Sequence, residues 1–308
     1  MTDLEALLYN LLGAVAGGGT RGDTRRIARE LAERAAEDFP TFHRALDLLG
    51  YHGQLALIND VMARAWPHVQ AAGTYSRPAV TAYANRAGDH LIYEYLEAGS
   101  AAAGAIAQLQ RDIERYFAVD AERLETYLPF LAGEVGRHWG PDDFDDLDSV
   151  AVGAVLVEFV GMVHRAGISF GKSHLVREHL PRYFLDRRAG YLYPREDIAA
   201  LLRDGRRPPP VVTGELPHPL LPDRMTLGNY LAKLVQTVEP RHYPAAAIVQ
   251  LVPYWLRFLD VRNIVPGEKI DEAASDLAGL AADLSAAWRA SGDAVLMSEL
   301  QSADVKSH

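Results

Sequence analysis

The chain of 308 residues contains no cysteine. This absence excludes disulfides, thiolate zinc sites, iron–sulfur clusters and a cysteine nucleophile, and it is typical of a reducing compartment. The longest apolar run, residues 150–163, is too short to cross a bilayer and contains Glu158. The N-terminal segment carries two acids and no base ahead of its apolar run, which predicts a helix rather than a secretory signal. We therefore expect a cytoplasmic protein without a membrane span.

Strand patterns are also scarce, because only VVTGEL, near residue 211, has β-character. Most other segments have apolar residues at helical spacing, such as Ile27, Leu31 and Ala35 on one face. Prolines 208, 209, 210, 217, 219 and 222 interrupt this pattern. The sequence thus predicts an all-α fold of stacked helical hairpins, either α-solenoid-like or an irregular helical array. We expect an N-terminal helical domain over 1–204, a proline-rich linker or strap over 205–223 and a C-terminal helical unit over 224–308.

Two segments of the first half are similar to one another. GQLALINDVMARA begins at Gly53 and GDHLIYEYLEAGS begins at Gly88, which places the two glycines 35 residues apart. A glycine, a polar residue and then an amphipathic helix at about this period loosely resembles tetratricopeptide and related helical-repeat proteins. The resemblance covers roughly residues 40–105, which is two units. It implies stacked helical hairpins with a concave surface that binds a partner.

Negative charge dominates the chain, with a net charge of −10. This balance opposes broad contact with nucleic acid, whose phosphates are bound by basic groups. Residues 165–207, however, hold ten lysines and arginines against five acids, a local net charge of +5. Two interpretations stay open. The basic stretch is solvated or packs against acidic faces of its own chain, or it binds an anionic partner.

The segment AGISFGKS, residues 166–173, fits the relaxed phosphate-loop pattern. In such a loop, backbone N–H groups at a helix start surround the phosphates while the lysine neutralises charge. The pattern makes Gly171, Lys172 and Ser173 candidate anion-binding residues. A buried strand should precede such a loop. Here the preceding apolar run, residues 150–163, is separated from AGISFGKS by His164 and Arg165. A turn between two helices, a general anion site and a nucleotide site are the alternatives.

The segment DDFDD, residues 142–146, resembles the aspartate-rich signature of isoprenoid synthases. The resemblance implies an all-α enzyme in which Asp142, Asp143 and Asp146 hold magnesium against a diphosphate. The second metal motif of that family has no match here. Acids that follow Pro141 are equally typical of a helix start. We predict no metal site. The pairs His90–Glu94 and His174–Glu178 depart from the usual bundle metal motif, although each has i, i+4 spacing.

Glu158 is the one charged residue in the run VAVGAVLVEFVGMV. A buried carboxylate needs a partner or takes a raised pKa. An arginine from a neighbouring helix would satisfy it, and the alternative is a polar group inside a pocket. Gly153 and Gly161 on the same predicted helix indicate a close approach between helices.

Aromatic residues and arginines are interleaved along the basic stretch, as in binding surfaces for a protein or a nucleic acid. They also suit arginine stems packed over tyrosines at a domain edge. The candidate partner-binding residues are Arg182, Tyr183, Arg187, Arg188, Tyr191, Tyr193 and Arg195. We therefore expect a non-catalytic scaffold or adaptor that binds a protein through 165–207. We expect no cofactor, and the sequence does not exclude a small-molecule ligand. The alternatives are the magnesium-dependent diphosphate enzyme and a nucleotide or anion switch.

Overall fold

The structure, a computed structural model, consists of α-helices joined by turns in the part that it describes. That part comprises residues 3–16, 19–73, 76–99, 105–116, 124, 128–134, 136–144, 147, 150–193, 218–235 and 241–289. These residues include twelve α-helices and no β-strand, so the predicted all-α class is confirmed. The solenoid arrangement stays a prediction.

The helices are numbered here in chain order. The first six are α1 (Asp3–Ala16), α2 (Arg21–Glu33), α3 (Phe39–Tyr51), α4 (Leu55–Ala71), α5 (Arg77–Glu97) and α6 (Ala105–Glu114). The others are α7 (Val150–Arg165), α8 (Phe170–Arg188), α9 (Arg224–Val235), α10 (His242–Val261), α11 (Gly267–Leu277) and α12 (Leu280–Arg289). A short 3-10 helix spans Pro141–Phe144.

The chain divides into two compact units. Unit 1 comprises Met1–Val135 and Val160–Leu175, and unit 2 comprises Gly136–Phe159 and Val176–His308. The division therefore passes through α7 and α8, whereas the sequence suggested a boundary in the proline-rich segment. Residues 205–217 of that segment lie outside the described part, and residues 218–223 belong to unit 2.

Side-chain caps begin several helices of unit 1. The hydroxyl of Thr20 accepts from the N–H of Asp23 at the start of α2, and a carboxylate oxygen of Asp38 accepts from the N–H of Thr41 in α3. Each cap satisfies a backbone donor that the helix itself leaves without a partner. Helix α4 packs against α2 and α5, and α1 packs against α2 and α3. These contacts make α4 a central element of unit 1.

Aromatic side chains fill the centre of unit 1, and their polar atoms donate to main-chain carbonyls. Tyr83 is fully buried, stacks on Trp66 and donates its hydroxyl to the carbonyl of Met62 at 2.7 Å. The indole N–H of Trp66 donates to the carbonyl of Arg115 at 3.0 Å. Rings of this size dominate the apolar area that a core removes from water. The two similar segments differ in structure, because Gly53 lies in the turn before α4 while Gly88 lies inside α5.

The core of unit 2 is built around Trp255 of α10, which is fully buried. The rings of Phe159, Phe258 and Phe184 surround it at centroid distances of 5.2, 5.6 and 5.9 Å. The indole N–H donates to the carbonyl of Leu220 at 2.8 Å. Helix α10 also contacts α9, α11 and α12, so it is a central element of unit 2.

Among the helices that the structure describes, none has both the length and the apolar character that a membrane span requires.

Candidate functional site

The segment AGISFGKS forms the turn between α7 and α8, together with the first residues of α8. Gly167 adopts a φ of +89°, which glycine reaches without steric cost. The hydroxyl of Ser169 accepts from the N–H of Lys172 at 3.3 Å, and this bond caps α8. A phosphate loop follows a buried strand, whereas the element that precedes this turn is the helix α7.

The three candidate anion-binding residues make internal contacts in unit 1. Ser173 is fully buried, and its hydroxyl has the carbonyl oxygens of Ser169 and Phe170 as acceptors, at 3.2 and 3.1 Å. The Nζ atom of Lys172 lies 4.1 Å from the ring centroid of Tyr51. A Cβ added at Gly171 would lie 2.6 Å from the carbonyl oxygen of Gly50. Gly171 thus permits α8 to approach α3 closely, and anion binding by these residues stays a prediction.

The acidic segment DDFDD begins in the 3-10 helix, and α7 starts only at Val150. The apolar spacing of the sequence predicts one helix over about 143–166, and this prediction is wrong at its start. The carboxylate of Asp143 accepts from Arg137 at 2.7 Å and from the N–H of Gly140 at 2.8 Å. Asp145, Asp146 and the side chain of Asp142 lie outside the described part. The described residues contain no group of three or more potential ligands that could hold a metal ion.

Glu158 has the arginine partner that the sequence predicted. It lies in unit 2, where it is 5% exposed and its Oε2 atom lies 3.0 Å from Nε of Arg262. The indole N–H of Trp139 donates to its Oε1 atom at 3.2 Å. Burial raises the pKa of Glu158 above its ordinary value, although the positive charge of Arg262 acts in the opposite direction. Arg262 also donates to two main-chain carbonyls, so the carboxylate belongs to a structural network.

Two histidines that the sequence analysis singled out meet inside unit 1. The rings of His90 and His174 lie 4.5 Å apart, and Nδ1 of His174 is 3.2 Å from the hydroxyl of Tyr93. Beside them, the buried pair Arg86–Asp47 has an N···O distance of 3.1 Å. All five side chains are at least 95% buried. They form an interior polar network that holds α3, α5 and α8 together within the unit.

The predicted partner-binding residues divide between the interior and the surface of unit 2. Tyr183 is fully buried, its hydroxyl lies 2.9 Å from the hydroxyl of Thr226, and burial raises its pKa to about 12. Arg187 is 4% exposed and donates to the carbonyl of Leu221 at 2.6 Å. Both therefore support the fold and do not belong to an exposed surface. The helical face of α8 places them inward.

The remaining predicted residues are accessible, apart from Arg195, which lies outside the described part. Arg182 is exposed and forms an ion pair with Asp186 at 2.9 Å. Arg188 and Tyr191 are exposed, the latter by 48%, and Tyr193 is half-buried. These residues extend from the last turns of α8 into the turn that follows it.

A groove of about 500 Å³ lies on unit 2 between α9, α11 and α12. We call it the α9 groove, and its lining residues are Arg224, Met225, Gly228, Asn229, Asp276, Leu280, Asp283 and Leu284. Met225 is 46% exposed, whereas Leu280 and Leu284 are buried to more than 90%. An apolar floor beside an exposed methionine is a feature of sites that bind apolar side chains.

Arg224 lines the α9 groove and binds the turn between α11 and α12. Its guanidinium donates to the carbonyl of Ala278 at 2.7 Å and pairs with Asp283 at 2.5 Å, while its main-chain N–H donates to Asp276 at 2.7 Å. These bonds clamp the turn between α11 and α12, where Gly279 has a φ of +84°. The apolar spacing of the sequence predicts one helix over about 268–290, and this prediction is wrong because the chain turns at residues 278–279. The break at the turn separates the two helices and creates the groove.

The α9 groove adjoins the turn that carries Tyr191. The side-chain amide of Asn229, which lines the groove, donates to the carbonyl of Leu192 at 2.7 Å. Sequence reasoning found the exposed tyrosine but not the groove beside it, because the groove depends on residues more than 50 positions apart. The exposed Met225 at the start of a predicted helix was the one local signal.

The chain matches no protein-family model, no curated protein and no solved structure.

Proposed function

We propose that this protein is a helical scaffold or adaptor and that unit 2 binds a partner protein in the α9 groove. The observation that carries the proposal is the exposed Met225 beside a floor of Leu280 and Leu284. Exposed apolar surface next to a cleft is typical of interaction sites. Methionine adapts its shape to apolar partners because its side chain is unbranched and flexible.

The occupant that fits best is a short amphipathic helix of the partner with basic residues beside its apolar face. A helix offers apolar anchors at i, i+3 or i+4 spacing to such a groove. Helix α11 contributes Asp276 to the wall of the groove, and outside the lining it carries three further exposed acids, Glu268, Asp271 and Glu272, and one base, Lys269. A basic partner helix is complementary to this wall, and opposite potentials accelerate association and select the partner.

Tyr191 enlarges the same surface. Its side chain is 48% exposed and follows α8 in the turn that Asn229 holds. Tyrosine combines a large apolar face with a polar tip and is enriched in interfaces. Tyr191 thus extends the exposed surface next to the groove, although it does not line the groove itself.

A selection from a library of helical peptides tests the proposal. The full chain is immobilised, a display library of random amphipathic helices is selected against it, and the Kd of each enriched peptide is measured for the wild type and for variants. We expect enriched peptides to be basic and apolar. We expect Met225→Glu to weaken their binding about tenfold or more, as for a central anchor residue, and Tyr191→Ala to weaken it less.

Val261 supplies the matched control, because it is a 61% exposed apolar side chain of unit 2 that does not line the groove. Val261→Glu adds the same charge elsewhere and should leave the Kd unchanged. Failure to enrich any peptide, or peptides whose binding Met225→Glu leaves intact, would contradict the proposal.

A further inference from the structure

A second cavity, of about 400 Å³, lies within unit 1. Its polar lining comes from Arg21 and Arg25 of α2, Gln54 before α4 and Glu97 at the end of α5. Val15 belongs to its apolar lining. We call it the Arg25 cavity. Its volume lies within the usual range for sites that take small molecules.

Arg21 and Arg25 contribute two positive charges to the same cavity. The i, i+4 spacing places them on one side of α2, where like charges repel. Neither guanidinium forms an ion pair with any residue in the described ranges. On the same helix, by contrast, Arg26 pairs with Glu30 at 4.0 Å and Arg29 pairs with Asp60 at 3.0 Å. Two neighbouring guanidiniums without a carboxylate partner are suited to anionic oxygen atoms, which they bind through paired N–H donors.

Glu97 adds a carboxylate to this cavity. Burial raises the pKa of Glu97 above its ordinary value, His164 acts in the opposite direction and Glu94 acts in the same direction. Glu97 is nevertheless exposed, so its carboxylate is accessible to a cationic donor. The cavity thus combines two groups for anionic oxygens and one for an ammonium group, with a net charge of +1.

We propose that the Arg25 cavity binds a small molecule with two anionic groups and one ammonium group, as in an acidic or phosphorylated amino acid. Arg21 and Arg25 hold the carboxylate or phosphate oxygens, and Glu97 accepts from the ammonium. An acidic amino acid, with a net charge of −1, balances the +1 of these three side chains, and a phosphorylated one carries about −1.5 to −2 near pH 7. This function is independent of the α9 groove, which lies in the other unit.

Isothermal titration of the full chain with three compounds tests the ligand class. L-glutamate and O-phospho-L-serine carry the ammonium group, and glutarate has the length and both carboxylates of glutamate but lacks the amine. We expect at least one of the first two to bind about tenfold or more tightly than glutarate, in keeping with a charge-assisted bond to Glu97. A preference for phosphoserine over glutamate would assign the site to phosphate, and the reverse would assign it to carboxylate.

Three variants locate the site. Arg25→Gln should weaken binding of the preferred compound about tenfold or more, because one guanidinium fork is lost. Glu97→Gln should abolish the preference for that compound over glutarate. Arg26→Gln removes the same charge from the same helix but does not line the cavity, and it should leave the Kd unchanged. Thermal midpoints confirm that the variants fold.

Several outcomes would overturn the proposal. One is the absence of saturable binding for all three compounds up to about 10 mM, because a specific site binds its ligand at lower concentrations. A second is glutarate binding as tightly as glutamate and phosphoserine, since it removes the role of Glu97. A third is an equal loss in Arg25→Gln and Arg26→Gln, since it shows a general response to charge.

Discussion

Gly171→Ala tests whether the glycine of GKS serves helix packing. In the structure a Cβ at this position would lie 2.6 Å from the carbonyl oxygen of Gly50 and 3.0 Å from its Cα. Both are backbone atoms, so relief requires α3 and α8 to separate within unit 1. Overpacking of this kind costs about 1–3 kcal/mol. Alanine recovers about 0.5–1 kcal/mol in a helix, since glycine loses more chain entropy on folding. The difference between these ranges is a net loss of about 0–2.5 kcal/mol, and because both clashing atoms are backbone we expect about 1–2 kcal/mol.

Gly88→Ala is the matched control in the same unit. Gly88 lies inside α5, and a Cβ there would meet only Cγ2 of Ile113, at an ordinary distance of 3.7 Å. Neither Gly88 nor Gly171 has a positive φ, so alanine is not strained at either position. Only the entropic gain of about 0.5–1 kcal/mol then applies at Gly88.

Thermal unfolding of the two variants is the assay. For a domain of about 150–250 residues, 1 kcal/mol shifts the Tm by about 2–4 °C. Gly171→Ala should therefore lower the Tm by about 2–8 °C, while Gly88→Ala should leave it unchanged or raise it. Equal stability of Gly171→Ala and the wild type would refute the packing role. A change confined to the binding of phosphate compounds would instead support the anion site that the sequence suggested.

Three further predictions concern buried charges, and each is tested by the free energy of unfolding from denaturant titrations. Arg262→Met should cost about 3–5 kcal/mol because Glu158 stays buried without its cation, and a loss below about 1 kcal/mol would contradict the network. Asp47→Asn should cost a similar amount beside the buried Arg86, whereas Asp60→Asn, at a half-exposed pair, should cost less than about 1 kcal/mol. Since Glu158 has a raised pKa, the folded state binds its proton more tightly than the unfolded state does. The stability of the wild type relative to Glu158→Gln should thus fall as pH rises from the ordinary value of 4.5 through the raised pKa, and a pH-independent difference contradicts this.

Local patterns in the sequence predicted the all-α class because helical periodicity and capping residues act over a few positions. They also predicted that Glu158 needs an arginine, since the cost of a buried carboxylate follows from its apolar neighbours alone. Gly161 was predicted to mark a close approach, and a Cβ there would overlap the carbonyl oxygen of Phe130. Gly153, in the same helix, has no atom of the described residues within 4 Å of such a Cβ, so a close approach at this glycine stays a prediction.

The sequence by itself thus determined the all-α class, the need of Glu158 for a partner and the presence of basic and aromatic residues near α8. Only the tertiary structure decided that the partner is Arg262, that Tyr183 and Arg187 point inward and that a groove opens beside Met225. The reason is physical. Helix formation depends on neighbours within one or two turns, whereas burial, ion pairing and cavities depend on which distant helices pack against each other.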